Sequence, residues 1–208
     1  MILSIGKFTD LTPYFNFLNE MARNGYNAPH NDGFGYVIYN KGEVTVKKSI
    51  KEISLEEDLF GTTIIAHARK ISSSSKSINN TQPFVNGMIS FTHNGTIKEL
   101  EGKNRSDSYF YFKKILKSFP SAIENIRQMN FTSINFIITD GNYAAAYREV
   151  REDKGYYSLF YKLDEDRFTV STEVMDGKWY EIENQTLVVY RDGKIKEYNS
   201  KDVVPSVI

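Results

Sequence analysis

Two short apolar runs end in residues able to grip and polarise a small molecule. Ile64-Ile65-Ala66 leads into His67-Ala68-Arg69, and Met88-Ile89-Ser90-Phe91 leads through Thr92 into His93-Asn94-Gly95. Both runs read as buried strands, and strands that stop at polar, glycine-containing turns are where a scaffold displays chemistry. An arginine at one strand end offers a planar fork of donors for a carboxylate. An Asn-Gly pair at the other offers a side-chain amide beside a backbone N–H, the parts of an oxyanion hole. Together they suggest a pocket for a small molecule carrying a carboxylate and a reactive carbonyl. Each piece also has a plainer reading. H-x-R alone is a strand end with a surface ion pair, and Asn-Gly alone is a strong hairpin signal. The serine run at 72–75 reads as a mobile loop.

Other chemistries fit less well. His30 and Asp32 lie two apart while His67 and His93 are far along the chain, and scattered histidines without dense carboxylates do not make a metal site. Asp32-Gly33-Phe34-Gly35 lacks the strand-to-helix context of a phosphate loop and reads as a tight turn feeding a strand. Ser4 is placed inside a predicted strand, which argues against a nucleophile there. Trp179 and Tyr180 read as plugs at a sheet edge.

Taken in order and spacing, longer segments resemble the class-II glutamine amidotransferases. They are His67-Ala68-Arg69-Lys70-Ile71-Ser72, then Asn80-Thr81-Gln82-Pro83-Phe84, then Phe91-Thr92-His93-Asn94-Gly95-Thr96-Ile97. Upstream, the run from His30 to Tyr36 is similar to that family's H-x-D-G-x-G-Y segment. Downstream, Ser106-Asp107-Ser108 and Ser171-Thr172-Glu173 resemble its acidic S/T-D-S element and its late S-S-E strand. The resemblance implies the αββα sandwich of N-terminal nucleophile hydrolases and a glutamine-binding pocket without a cofactor. Arg69 would take the α-carboxylate of glutamine and Asp107 its α-ammonium. Asn94 and the Gly95 N–H would receive the oxyanion. His67 and His93 would brace the strand ends beside the substrate, since the family's base is the α-amine of its nucleophile.

One departure bears on the chemistry. The family's nucleophile is an N-terminal cysteine, and these 208 residues contain no cysteine. Met1-Ile2-Leu3 matches the residues that follow Cys-Arg in the family's M-C-R-M-L start, so the expectation is a nucleophile lost upstream of Met1. Two readings follow. One is an enzyme that hydrolyses the side-chain amide of glutamine, or of a γ-glutamyl amide, and releases ammonia. The other is a catalytically dead pseudoenzyme that binds the same ligand as a sensor or partner subunit. No synthase domain fits in this length, so an ammonia-accepting synthase would be a separate chain.

Composition narrows the field further. At 208 residues the chain suits a single domain over 1–208 with room for a sizeable core. Lys plus Arg and Asp plus Glu balance at 26 each, which removes the electrostatic support for nucleic-acid binding. No apolar run approaches a membrane span. The first residues lack the basic start and apolar core of a signal peptide, and the cytoplasm is the default setting. Without cysteine there are no disulfides or thiolate metal sites.

The elements that must position these residues follow from periodicity. Residues 1–5 form a first strand, and Thr12-Pro13 caps a helix running to Arg23 that buries Tyr14, Phe17, Leu18 and Met21. Strands at 34–39 and 43–49 flank a turn at Asn40-Lys41-Gly42. Residues 50–61 read as a short helix or loop. Residues 107–118 have helical spacing at Phe110, Phe112, Ile115 and Leu116. Pro120 breaks it, and Ser121 with Glu124 forms a capping box for another helix to Met129. Strands follow at 133–139, 143–149, 156–163, 167–173, 187–190 and 194–198. Many strands, few helices and little βαβ alternation predict α+β, with antiparallel sheets and helices packed outside.

Overall fold

The computed structural model describes residues 1–72, 74–102 and 104–199. In chain order the elements are β1 (Ile2–Asp10), α1 (Thr12–Asn24), β2 (Gly33–Asn40), β3 (Glu43–Ser49), β4 (Phe60–Arg69), β5 (Phe84–Asn86) and β6 (Ile89–Asn94). They continue as α2 (Asp107–Ile115), α3 (Phe119–Arg127), β7 (Asn135–Thr139), β8 (Tyr143–Arg148), β9 (Phe160–Asp164), β10 (Arg167–Ser171), β11 (Tyr180–Glu181), β12 (Thr186–Arg191) and β13 (Lys194–Asn199). Seven strands form one sheet in the order β11-β9-β10-β1-β4-β2-β3, and six form a second in the order β13-β12-β8-β7-β6-β5. Every strand pair is antiparallel.

Period-2 alternation builds the layers. In β1, Ile2 packs outward with Phe15, Leu18 and Met21 of α1, while Leu3 and Ile5 face inward. The inward set, with Val37, Ile65 and Val170, meets Ile137, Ala144, Ala146 and Val188 of the second sheet. The other face of the second sheet carries Phe91, Phe136, Ile138 and Tyr147, packed against Tyr111, Phe112 and Ile115 of α2 and Phe119, Ile123 and Ile126 of α3. The result is helix, sheet, sheet, helix: the expected α+β sandwich. Sheets covered on both faces read as near-continuous apolar strands, which is why β2 is buried from Gly33 through Tyr39. Among the described residues, no helix is long and apolar enough to cross a membrane.

Several local expectations need correction. The stripe that α1 buries centres on Phe15, Leu18, Met21 and Ala22, with Tyr14 and Phe17 only partly covered. Thr12 does not cap that helix. Its hydroxyl accepts the Leu59 N–H at 2.8 Å, and the Asp10 carboxylate takes the Thr12 N–H at 2.8 Å. α2 buries Tyr111 in place of Phe110. The capping box at Ser121 is absent because α3 begins two residues earlier, with Pro120 in its first turn, where a missing N–H costs nothing. Of the helix or loop expected over 50–61, residues 50–59 take the loop and β4 begins at Phe60, while residues 156–159 lie outside β9. The short edge strands β5 and β11 have no counterpart in the sequence-based assignment. Tyr180 does stand at a sheet edge, stacked on Tyr161 at 5.5 Å. Residues 200–208, the end of the single domain expected over 1–208, lie outside the described residues, as does Ser73 of the serine run.

Candidate active site

β4 is an interior strand of its sheet, between β1 and β2, and its last residues deliver His67 and Arg69 to the side that faces the second sheet. Ala66 and Ala68 alternate onto the α1 side. In β6 the same alternation sends Phe91 and His93 toward α2, and Thr92 and Asn94 toward the first sheet. The two strand ends therefore meet at one mouth of the sandwich. There His67, Arg69, His93, Asn94, Gly95 and Asp107 all line a single narrow polar cavity of about 60 Å³. It adjoins a wider chamber of about 310 Å³, and His30, His67, Ala68, Asn94 and Tyr156 border both.

Arg69 is only 5 % exposed. Nη2 donates to Ser74 Oγ at 2.6 Å and Nη1 to the Ser75 carbonyl at 3.2 Å. No carboxylate of the described residues lies within 4.0 Å of it. Burial lowers its pKa, while the fields of Asp32 and Asp107 oppose that. A guanidinium has five donors in a fixed fork, so this one keeps capacity for an anion entering the cavity. Part of the serine run is thus a bonding partner of Arg69.

Asp107 opens α2, where the helix dipole favours negative charge. Its Oδ2 accepts the Ile97 N–H at 2.8 Å, and Ser108 Oγ lies 3.3 Å from its Oδ1. A carboxylate has about four acceptor sites, so a cation can still be received.

Asn94-Gly95 is not a hairpin turn, since β6 pairs with β7 only after an excursion through α2 and α3. Gly95 has φ of +149°, and a Cβ there would stand 1.9 Å from the Ser133 carbonyl oxygen. Only glycine fits, and the Asn94 amide and the Gly95 backbone border the cavity together.

The two histidines differ. His93 is fully braced: Nε2 donates to the Ser133 carbonyl at 3.2 Å, which leaves Nδ1 to accept from Ser108 Oγ at 2.9 Å. Burial lowers its pKa and keeps it neutral. Gln82 clamps its backbone on both sides, at 2.6 and 3.1 Å. His67, also buried, has its pKa pushed well down by that burial, and its Nδ1 has no hydrogen-bond partner among the described residues. Among the described residues, no hydrogen bond from Nδ1 supplies the bracing expected of His67. The sequence reading assigned no role to Gln82, although the residue stood within the N-T-Q-P-F run. Nor did it give one to Asn80, whose amide spans Ser75 and Ser106.

β1 starts in the wider chamber. The Met1 amine donates to Thr172 Oγ1 at 3.0 Å, and burial pushes its pKa down to about 5 against the pull of Glu173. Of the Ser171-Thr172-Glu173 run, Thr172 and Glu173 line the chamber. His30 lies at 3.4 Å from the Tyr156 hydroxyl, with its pKa pushed down to about 4, chiefly by burial. Among the described residues no group of three or more histidine, cysteine or acidic side chains could hold a metal ion.

Comparison with known proteins bears on the family and the fold. The family model of class-II glutamine amidotransferases matches residues 2–160. The chain is 27% identical to an uncharacterized Methanocaldococcus jannaschii protein, over 88% of this chain and 68% of that one. It is 22% identical to a Haemophilus influenzae protein provisionally named a glutamine amidotransferase, over 86% of this chain and 80% of that one. Solved structures share the fold. A Pseudomonas aeruginosa protein predicted to be a glutamine amidotransferase has a TM-score of 0.63 at 17% identity, covering 93% of this chain and 98% of that one. The glutamine phosphoribosylpyrophosphate amidotransferase of B. subtilis has a TM-score of 0.65 at 15% identity, covering 96% of this chain. This chain spans 48% of that larger enzyme.

Proposed function

We propose, for a chain that belongs to the class-II glutamine amidotransferases, that the polar cavity holds glutamine or a γ-glutamyl amide by its amino-acid end and presents the side-chain amide for hydrolysis. The observation that carries this is Arg69, a buried guanidinium without a carboxylate partner among the described residues, in one cavity with Asp107, Asn94 and Gly95. Arg69 binds the α-carboxylate through two parallel N–H donors. Asp107 accepts the α-ammonium. The side-chain carbonyl then reaches Asn94 and the Gly95 N–H, which stabilise the negative charge that develops on attack.

In the family reaction a cysteine thiolate attacks the amide carbon, ammonia leaves, and water hydrolyses the γ-glutamyl thioester to glutamate. The resemblance puts that cysteine just ahead of β1, whose start lies in the adjoining chamber. Ammonia would pass to a synthase on a separate chain or to solvent.

A second reading, ligand binding without turnover, is favoured by one feature. The 208 residues hold no thiol, and the Met1 side chain lines the chamber at the start of β1, its sulfur accepting from Thr92 Oγ1. Ammonia release from glutamine, compared between this polypeptide and one preceded by Met-Cys-Arg, separates the readings. The extended form should turn over, and the present form should fall short by about 10⁶, as for a hydrolase stripped of its nucleophile. Inactivity of both, with glutamine still bound, supports the binder. High and equal turnover by both would sink the mechanism.

A further inference from the structure

A second cavity, of about 290 Å³, opens on the far side of α2 where the edge strands β3 and β5 meet. Its charge is one-sided. Lys48, Arg105 and Lys113 line it, and no described residue lining it is acidic. None of the three has a described carboxylate within 4.0 Å. In a chain with 26 basic and 26 acidic residues, three unpaired cations on one small cavity leave a strong local field. Like charges held together cost free energy, which a bound anion returns.

The cations stand on an aromatic floor. Lys48 Nζ lies 5.5 Å from the centre of the Phe84 ring, and the Arg105 guanidinium 4.5 Å from that of Tyr109. The two rings touch edge to face, 5.7 Å apart. Lys113 follows Tyr109 by four residues and so shares its face of α2. Burial, and then the Arg105 charge, push the Lys48 pKa down to about 8, so Lys48 gains its proton more firmly once an anion arrives.

We propose that this cavity is a binding site for a small phosphate monoester carrying a planar ring. The forked Arg105 and the two lysines would take the phosphate oxygens, and the ring would lie beside the half-buried Tyr109, since Phe84 is itself buried and stacked on Phe112. Phosphate is favoured over a carboxylate because a dianion answers three cations better than a monoanion does.

The cavity is tied to the first one by short covalent and hydrogen-bonded links. Arg105 donates to the Asn79 carbonyl at 2.7 Å, and the next residue, Ser106, donates its N–H to Asn80 Oδ1 at 2.9 Å. The Asn80 amide donates at 3.2 Å to the Ser75 carbonyl, which also accepts from Arg69. An anion that draws Arg105 away from Asn79 loosens the frame around Arg69 and weakens glutamine binding. This coupling, unlike the site itself, rests on the reading of Arg69 as the carboxylate clamp.

Calorimetric titration of the full chain with phenyl phosphate, inorganic phosphate and phenol tests the site without glutamine. Phenyl phosphate should bind more tightly than either fragment. Lys48→Gln and Lys113→Gln, neither of which removes a hydrogen bond seen here, should each weaken it about tenfold, while Lys117→Gln, outside the cavity, should leave it unchanged. No binding by the native chain, equal affinity for inorganic and phenyl phosphate, or indifference to Lys48→Gln would overturn the proposal. Saturating phenyl phosphate should then lower glutamine affinity, and unchanged affinity would overturn the coupling alone.

Discussion

Arg69 and Asp107 line the same cavity from the end of β4 and the first turn of α2, yet no Arg69 nitrogen comes within 4.0 Å of an Asp107 oxygen. A buried pair of opposite charges that do not close on each other leaves room for something charged at both ends. An α-amino acid has its carboxylate and ammonium on one carbon and suits that gap.

Arg69→Ala should weaken glutamine binding by about tenfold or more, the size of one charge-assisted contact of about 1.5–3 kcal/mol. Asn94→Ala should weaken it less, because the Asn94 donor gains most as oxyanion charge develops and little in the ground state. Calorimetry on the two variants gives the order. Equal, silent effects in a chain that still binds glutamine would remove Arg69 from its role.

Asp107→Asn keeps an oxygen for the Ile97 N–H but loses the negative charge. Glutamine should bind about tenfold more weakly, whereas glutaric acid monoamide, which lacks the α-ammonium, should bind the native chain and the variant alike. Competition between the two ligands reads out the difference. A variant that still prefers glutamine as strongly as the native chain would place the ammonium elsewhere.

Gly95→Ala should destabilise the fold by about 2 kcal/mol or more, since φ of +149° is costly for alanine and the Ser133 carbonyl occupies the space of its Cβ. Urea unfolding measures it. A native-like midpoint would mean that the Asn94-Gly95 backbone is not held as described.

Stability should fall as pH drops from 6.5 toward 4. Burial lowers the pKa of His30 to about 4 and depresses those of His67 and His93. Between the folded and unfolded values the unfolded chain binds more protons, so protonation favours unfolding. The histidine contribution is complete above pH 6.5 and is lost as pH falls, and the buried Met1 amine, pushed from 8.0 down to about 5, adds a loss of the same sign that begins below pH 8. Asp32, also depressed, acts only below about 3.8, outside this window, while Glu99, held down chiefly by the Asn130 backbone N–H, adds a loss of the same sign at its lower end, below about 4.5. Urea midpoints at pH 7.5 and pH 5 test the sign, and His67→Gln should flatten the difference.

Much of this was legible in the sequence because the signals were strong and local. Short apolar runs marked β2, β4 and β6, and the polar residues ending β4 and β6 marked where the two sheets open. What escaped depended on partners distant in sequence. β5 and β11 are edge pieces of three and two residues, too short to show a period. Thr12 lost its capping role to Asp10 because its hydroxyl is taken by Leu59, 47 residues on. Asn94-Gly95 carries the signature of a turn, and only the Ser133 carbonyl against Gly95 shows why a glycine stands there. The clamp on His93 by Gln82 and the hold of Ser74 and Ser75 on Arg69 needed coordinates.

The most direct test of the central claim is calorimetric titration of this 208-residue polypeptide with L-glutamine and with its α-methyl ester. The pocket described here should bind one glutamine per chain and bind the ester at least about tenfold more weakly, since the ester removes the charge that Arg69 is placed to meet. Absence of glutamine binding, or equal affinity for the ester, would contradict it.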